Sequence, residues 1–219
     1  MRPIALPLAF ATLALAATST RAVAQVENMG AKAATYITDA DVKKVNALPG
    51  VDRQLVSVDI GKLNEAVGIV HRGKLTPGAP AAAPAAGAAA PPAGEPCGLP
   101  APAPGAPNNG GGILHDHQTE TYVIVSGSGT MVTGGQIAGG RKSAAGSEVT
   151  TTLNGPSCSG RIVGADVVKR VVNVGDIVII PAGVPPGWLE IPDHVDYLSV
   201  RPDPDRVLKP YVHPALQKK

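Results

Sequence analysis

Short segments rich in Val and Ile, separated by Gly and Pro, run through the second half of this chain and restrict its possible folds. Such segments, with turn residues between them, are typical of an all-β sandwich or barrel. A single Phe and a single Trp are present, so Val, Ile and Leu must build the core. The candidate strands are residues 54–60, 66–71, 121–125, 129–133, 160–163, 167–172, 176–180, 188–191 and 195–200.

The first 24 residues have the layout of a secretory signal peptide. Arg2 gives a positively charged start, residues 4–17 are apolar, and Ala22-Val23-Ala24 offers the small residues that signal peptidase requires. The apolar run is shorter than the roughly 20 residues that cross a bilayer, so no membrane span is predicted. We therefore predict a signal peptide at 1–24 and a periplasmic or secreted protein.

A short helix is predicted in the lead-in that covers residues 25–53. Thr38 is the candidate N-cap, and Asp39 and Asp41 place acidic side chains in the first turn. Pro49 and Gly50 then end the helix before the first predicted strand.

The composition changes abruptly over residues 76–112, which are mostly Ala, Pro and Gly. This stretch holds 10 of the 22 prolines and one charged residue, Glu95. It has no apolar periodicity, and prolines cannot donate to a β-ladder, so it reads as a flexible or polyproline-like segment. We predict that it interrupts one domain spanning 54–208, followed by a tail at 209–219.

The overall charge argues against nucleic acid as a partner. The chain has 19 basic and 17 acidic residues, and two of the basic ones, Arg2 and Arg21, fall in the signal peptide. No basic run stands out, whereas phosphate binding needs clustered Lys and Arg.

The chain has two cysteines, Cys97 and Cys158. An even pair in an oxidising compartment favours a disulfide, although two free thiols remain the alternative. A bridge closing a loop of about 60 residues would stabilise the fold by roughly 4 kcal/mol.

Two segments carry candidate chemistry, LHDHQTETYVIVSGSGTMVTGG at 114–135 and GDIVIIPAGVPPGW at 175–188. Together they resemble the two conserved motifs of the cupins, most closely those of small exported bacterial cupins. The matching positions are Glu120 and Gly127 in the first motif and Gly175, Pro181 and Gly183 in the second. The resemblance implies a cupin-type double-stranded β-helix, which is a jelly-roll barrel with a ligand or metal in its mouth.

The resemblance also implies a metal site built from His115, His117 and Glu120. Two alignments remain open: His115 and His117 form the His-x-His pair before a shortened turn, or only His115 and Glu120 occupy ligand positions. The usual third histidine is replaced by Pro186, which has no coordinating side chain. His71 and His194 are candidate substitutes.

Three hypotheses about function follow from this pattern. The first is a metal-dependent enzyme in which Mn, Fe, Ni or Zn acts as a Lewis acid on a small molecule, with the reaction unspecified. The second is a non-catalytic small-ligand-binding cupin with an eroded metal site. The third is an assembly role as a homodimer, although the sequence shows no exposed apolar stripe.

The Ser126-Gly127-Ser128-Gly129 stretch lacks the flanking residues of a nucleophile elbow.

Overall fold

The computed structural model describes residues 33–78 and 94–217. The predicted signal peptide and residues 79–93 of the predicted insertion lie outside the described residues. One helix and the strands form the scaffold: α1 Asp39–Asn46, β1 Asp52–Asp59, β2 Asn64–Arg72, β3 Pro96–Cys97, β4 Gly111–His115, β5 Glu120–Thr133, β6 Gln136–Lys142, β7 Ser157–Val163, β8 Val168–Asn173, β9 Ile177–Ile180, β10 Pro186–Glu190, β11 Val195–Asp203 and β12 Tyr211–Val212.

Helix α1 begins with the cap that the sequence predicts. The Thr38 hydroxyl accepts a hydrogen bond from the backbone N–H of Asp41, and the Asp41 carboxylate accepts one from the backbone N–H of Thr38. This capping box satisfies two otherwise unpaired donors at the start of the helix. Within residues 33–78 and 94–217, no helix has the length and hydropathy to cross a membrane.

The strands pair antiparallel in two sheets that share β5. The first sheet runs β12-β1-β2-β11-β5, with β9 on the other side of β5. The second runs β5-β10-β4-β7-β6-β3, with β8 also paired to β5. Residues 120–127 of β5 pair with the first sheet, and residues 128–133 pair with the second. The sequence indicated two separate strands here, whereas the structure has one strand that turns from sheet to sheet.

The apolar core lies between the two sheets. Tyr122, Ile124, Met131, Trp188 and Tyr197 are among its buried members, and the ring centroids of Tyr122 and Tyr197 are 4.2 Å apart. A separate cluster packs α1 against the outer face of the first sheet. The predicted all-β double-stranded β-helix with a short N-terminal helix is confirmed.

The segment predicted as an Ala/Pro-rich insertion, 76–112, is partly built into the second sheet. Pro96 and Cys97 form β3 and pair with β6, and the Arg161 guanidinium donates to the Ala106 carbonyl at 2.8 Å. Cys97 and Cys158 are joined by a disulfide, with their Cα atoms 6.1 Å apart. Pro96 is accommodated because β3 is an edge strand, where a missing N–H leaves no ladder bond unmade.

Candidate functional site

His115 and Glu120 meet inside the barrel, as the motif predicts. His115 ends β4 and Glu120 begins β5, and the His115 Nε2 atom lies 3.1 Å from Glu120 Oε2. Both side chains are buried, with 3 % and 1 % exposure. The other ring nitrogen of His115, Nδ1, lies 3.2 Å from the Asn154 carbonyl oxygen. Both nitrogens of the His115 ring thus face oxygen atoms of the protein.

Arg201 is the second partner of Glu120. Strand β11 alternates strictly between buried and half-buried residues, so Ser199 and Arg201 both face the interior. The Arg201 Nε–H donates to Glu120 Oε1 at 2.9 Å, and a terminal N–H donates to Asp52 Oδ2 at 2.6 Å. The Ser199 hydroxyl also donates to Glu120 Oε1. Each oxygen of the Glu120 carboxylate is therefore engaged within the protein.

The opposite charges of Glu120 and Arg201 stabilise each other in this buried cluster. Burial alone raises the pKa of the Glu120 carboxyl, but the charge of Arg201 and the contacts from His115 and Ser199 outweigh it and hold that pKa well below its usual range. Burial alone lowers the pKa of Arg201, while Asp52 and Glu120 raise it above its ordinary value. Glu120 is therefore an anion and Arg201 a cation, each buried against its counter-charge.

The structure separates His117 from the other two predicted ligands. Its ring is half exposed and its Nδ1 atom lies 2.8 Å from an Asp205 carboxylate oxygen at the surface. Pro186, at the position of the usual third histidine, begins β10 and pairs with Thr133. The turn between β4 and β5 thus sends His115 inward and His117 outward, in agreement with the alignment in which only His115 and Glu120 occupy ligand positions.

A divalent transition ion does not fit this set of donors. Such an ion requires three or four protein ligands, and the barrel centre offers one imidazole and one carboxylate. The carboxylate already contacts a guanidinium, whose charge opposes a second cation. Two buried amide oxygens, of Gln118 and Asn154, lack partners in the described part of the chain, but they carry no charge to compensate an ion. Across residues 33–78 and 94–217, no group of three or more His, Cys, Asp or Glu could hold a metal.

His71 and His194 lie on the opposite face of the first sheet and do not complete the barrel site. His71 pairs across strands with Asp196, which faces outward like Leu198 two residues later. Their rings stack with centroids 6.1 Å apart at an interplanar angle of 24°. His71 and His194 both line an open cleft of about 670 Å³ between this face and the end of α1. The other described lining residues are Lys43, Asn46, Ala47, Leu48, Pro49, Gly50, Arg53 and Asp196.

Arg201, Ser199 and the cleft residues other than His71 and His194 were missed by motif reasoning. A signal for Arg201 does exist in the sequence, because VDYLSVRPD places Arg201 in phase with Val195, Tyr197 and Ser199. A charged residue in the buried phase of a strand requires an internal partner, and Glu120 is 81 positions away. Pairing over that separation cannot be read from a motif.

No protein-family model and no curated protein matches the chain. Among solved structures, the chain is similar to DMSP lyase DddQ from Ruegeria pomeroyi, with 14% identity, a TM-score of 0.31, and coverage of 70% of this chain and 45% of that one. An uncharacterised Klebsiella pneumoniae protein with a double-stranded beta-helix domain gives 14% identity and a TM-score of 0.36, and the match covers 78% of this chain and 93% of that one. An oxalate oxidase in complex with the substrate analogue glycolate gives 13% identity and a TM-score of 0.31, and the match covers 72% of this chain and 54% of that one.

The chain thus spans less than two thirds of the length of the DMSP lyase and the oxalate oxidase. At these identities and TM-scores the likenesses carry no functional argument.

Proposed function

We propose that this chain is an exported cupin-fold protein that binds a small molecule in the cleft outside the barrel and needs no metal ion. The observation that carries the metal-free part is the ion pair between Arg201 and Glu120. A guanidinium now supplies the positive charge that a metal ion would bring to this carboxylate. The barrel centre then acts as a structural ion-pair cluster, consistent with the hypothesis of an eroded metal site.

The cleft supports the binding part of the proposal. It is a wide, open cleft of about 670 Å³, which a small molecule can enter from solvent. Its walls combine apolar surface from Leu48 and Pro49 with polar groups from Arg53, His71 and Asp196. By contrast, His115, Glu120 and Arg201 are all buried beneath the protein surface, so a ligand cannot reach them without opening the fold.

Export is supported by the signal-like N-terminus and by the cysteine pair. A disulfide persists in the periplasm or outside the cell and is rare in the reducing cytosol. The Cys97–Cys158 bridge joins β3 to β7, so it ties part of the Ala/Pro-rich segment to the barrel. Cleavage after Ala24 is tested by N-terminal sequencing of protein recovered from the periplasm or medium.

The binding proposal is tested by nuclear magnetic resonance. A library of small soluble molecules is added to isotope-labelled full-length protein without metal, and amide shifts are mapped. We expect amide shifts at Ala47, Leu48 and Gly50 and at His71 and His194, while residues beside His115 and Glu120 stay unchanged. Shifts confined to the barrel centre, or no saturable shift with any compound, would contradict the proposal. His117→Gln, on a different surface, is the matched control and should not alter binding.

A further inference from the structure

A serine, a histidine and an aspartate are linked by hydrogen bonds beside the cleft, and the histidine, His194, lines it. The Ser126 hydroxyl oxygen lies 2.9 Å from His194 Nε2, and His194 Nδ1 lies 2.7 Å from an Asp193 carboxylate oxygen. This is the order in which a serine hydrolase connects its nucleophile, base and orienting acid, with each imidazole nitrogen in the corresponding role. Ser126 and His194 are both part-exposed, so solvent and substrate can reach them.

The backbone holds these residues together through a bulge and a glycine. The register between β5 and β11 shifts beside Val125, and Ser126 then lies opposite Asp196. Gly127 follows with φ +67, and a Cβ there would clash with the His194 carbonyl oxygen. The Ser128 N–H donates to that carbonyl at 3.1 Å. Bulges of this kind redirect side chains beside functional sites, and here one brings Ser126 to the imidazole of His194.

A second histidine with its own carboxylate stands beside the first. His71 Nδ1 lies 2.6 Å from Asp196 Oδ1, and its ring stacks on that of His194. A carboxylate on Nδ1 fixes the tautomer in which Nε2 carries the lone pair. His71 Nε2 makes no hydrogen bond to residues within the described ranges, so it is available to a water or an alcohol in the cleft.

From this arrangement we propose that Ser126 and His194 hydrolyse small carboxylic esters bound at the edge of the cleft, where His194 lines it. The inference rests on the proposed function, because the cleft must hold the ester. The Ser126 Oγ–H proton passes to His194 Nε2 as Oγ bonds to the ester carbonyl carbon. The bond from that carbon to the alkoxy oxygen then breaks, and the leaving alkoxide takes the proton from Nε2.

The second half of the cycle returns the serine. A water bonds to the acyl carbon and gives a proton to His194 Nε2, the bond from that carbon to Oγ breaks, and the proton goes to Oγ. The products are the alcohol and the carboxylic acid, and no cofactor or oxidant is required. His71 also lines the cleft, where its Nε2 can accept a hydrogen bond from the attacking water. The apolar surface of Leu48 and Pro49 suits a short acyl chain.

The inference is tested with p-nitrophenyl acetate and a fluorophosphonate probe on the full-length, metal-free protein. We expect the probe to form one covalent adduct on Ser126, located by mass spectrometry of peptides. Ser126→Ala and His194→Gln should each lower the rate of ester hydrolysis about 100-fold, the scale of general-base catalysis. Labelling of the wild-type protein does not depend on whether either variant folds.

Two matched controls isolate the serine–histidine pair. Ser128→Ala removes a neighbouring hydroxyl, and His117→Gln removes an exposed imidazole that also contacts an aspartate but no serine. Both should keep the wild-type rate. Failure of the probe to label Ser126, or an unchanged rate in Ser126→Ala, overturns the inference. If cleft shifts with small molecules persist in that case, the binding function stands without the hydrolysis, whereas the absence of shifts removes both.

Discussion

At the residue scale, the central feature is the guanidinium of Arg201 beside the carboxylate of Glu120. Breaking a buried pair by removing one partner leaves an uncompensated charge in the interior. His115 and Glu120 could be predicted as neighbours because they lie five positions apart in one local motif. Arg201 could not, since its contact with Glu120 depends on strands that pair far apart in the sequence.

Removing either member of this pair should destabilise the fold strongly. Arg201→Met leaves Glu120 without its counter-charge, and Glu120→Gln leaves Arg201 with Asp52 alone; each should lower the free energy of unfolding by about 3–5 kcal/mol. The double variant should be less destabilised than the sum of the two, by about 1–3 kcal/mol. Urea denaturation measures all three.

Arg206→Met is the matched control for that cycle. Arg206 pairs with Asp59 at the surface, and its loss should change the denaturation midpoint little. Strict additivity of the two buried substitutions would contradict the coupling described for the barrel centre.

Acidification should remove the contribution that the ionised Glu120 carboxylate makes to the stability of the fold. The folded-state pKa of Glu120 is held below its unfolded value of about 4.3, so its contribution to stability is present above pH 4.3 and is lost as pH falls through the folded pKa. The difference in unfolding free energy between wild type and Glu120→Gln should therefore shrink below about pH 4, by at most about 1.4 kcal/mol per pH unit. Urea denaturation from pH 7 to pH 2 measures it, and a constant difference would contradict the assignment.

At the element scale, β5 links the two sheets and carries both Glu120 and Ser126. Most strands could be placed from their Val and Ile content, because short apolar runs between turn residues have few alternatives. The continuity of β5 was not predictable, since Ser126-Gly127-Ser128-Gly129 reads locally as a turn. Gly127 instead lets the strand bend against β11 without ending it. Strands β4 and β6 and the edge strands β3 and β12 carry little apolar signal and were also missed.

Substituting Gly127 by Ala should therefore disturb this bend. An L side chain is strained at φ +67, and its Cβ would meet the His194 backbone. We expect a loss of about 1–3 kcal/mol in unfolding free energy, together with loss of the Ser126–His194 contact. Gly146→Ala is the matched control, because a Cβ there meets nothing within 4 Å. Equal melting temperatures for the two variants would contradict this role of Gly127.

At the scale of the whole molecule, two sheets enclose an apolar core, α1 covers the first sheet, and a disulfide ties down the edge of the second. The double-stranded β-helix could be predicted because two motifs occur in order along the chain. The side of the sheet on which His71 and His194 lie could not be predicted, since it depends on strand register.

Exposed apolar residues gather on β8, on β9 and in the turn between them, including Val171, Val174 and Ile177, although the sequence showed no such stripe. The homodimer stays a prediction.

Loss of the disulfide should act on the molecule as a whole. Replacing Cys97 and Cys158 together by Ser releases a loop with a sequence separation of 61 residues. The unfolded chain then gains conformational entropy, so the free energy of unfolding should fall by about 4 kcal/mol. Urea denaturation of the variant should match that of wild type under reducing conditions, and a midpoint insensitive to reduction would contradict the prediction.

The most direct test of the account is elemental analysis of untagged protein after incubation with Mn, Fe, Ni or Zn and dialysis. Because Arg201 neutralises Glu120 and His117 lies at the surface, we predict less than about 0.1 equivalent of any of these metals. Close to one equivalent in the wild-type protein, lost in His115→Gln and retained in His117→Gln, would contradict the claim that the barrel centre is a metal-free ion-pair cluster.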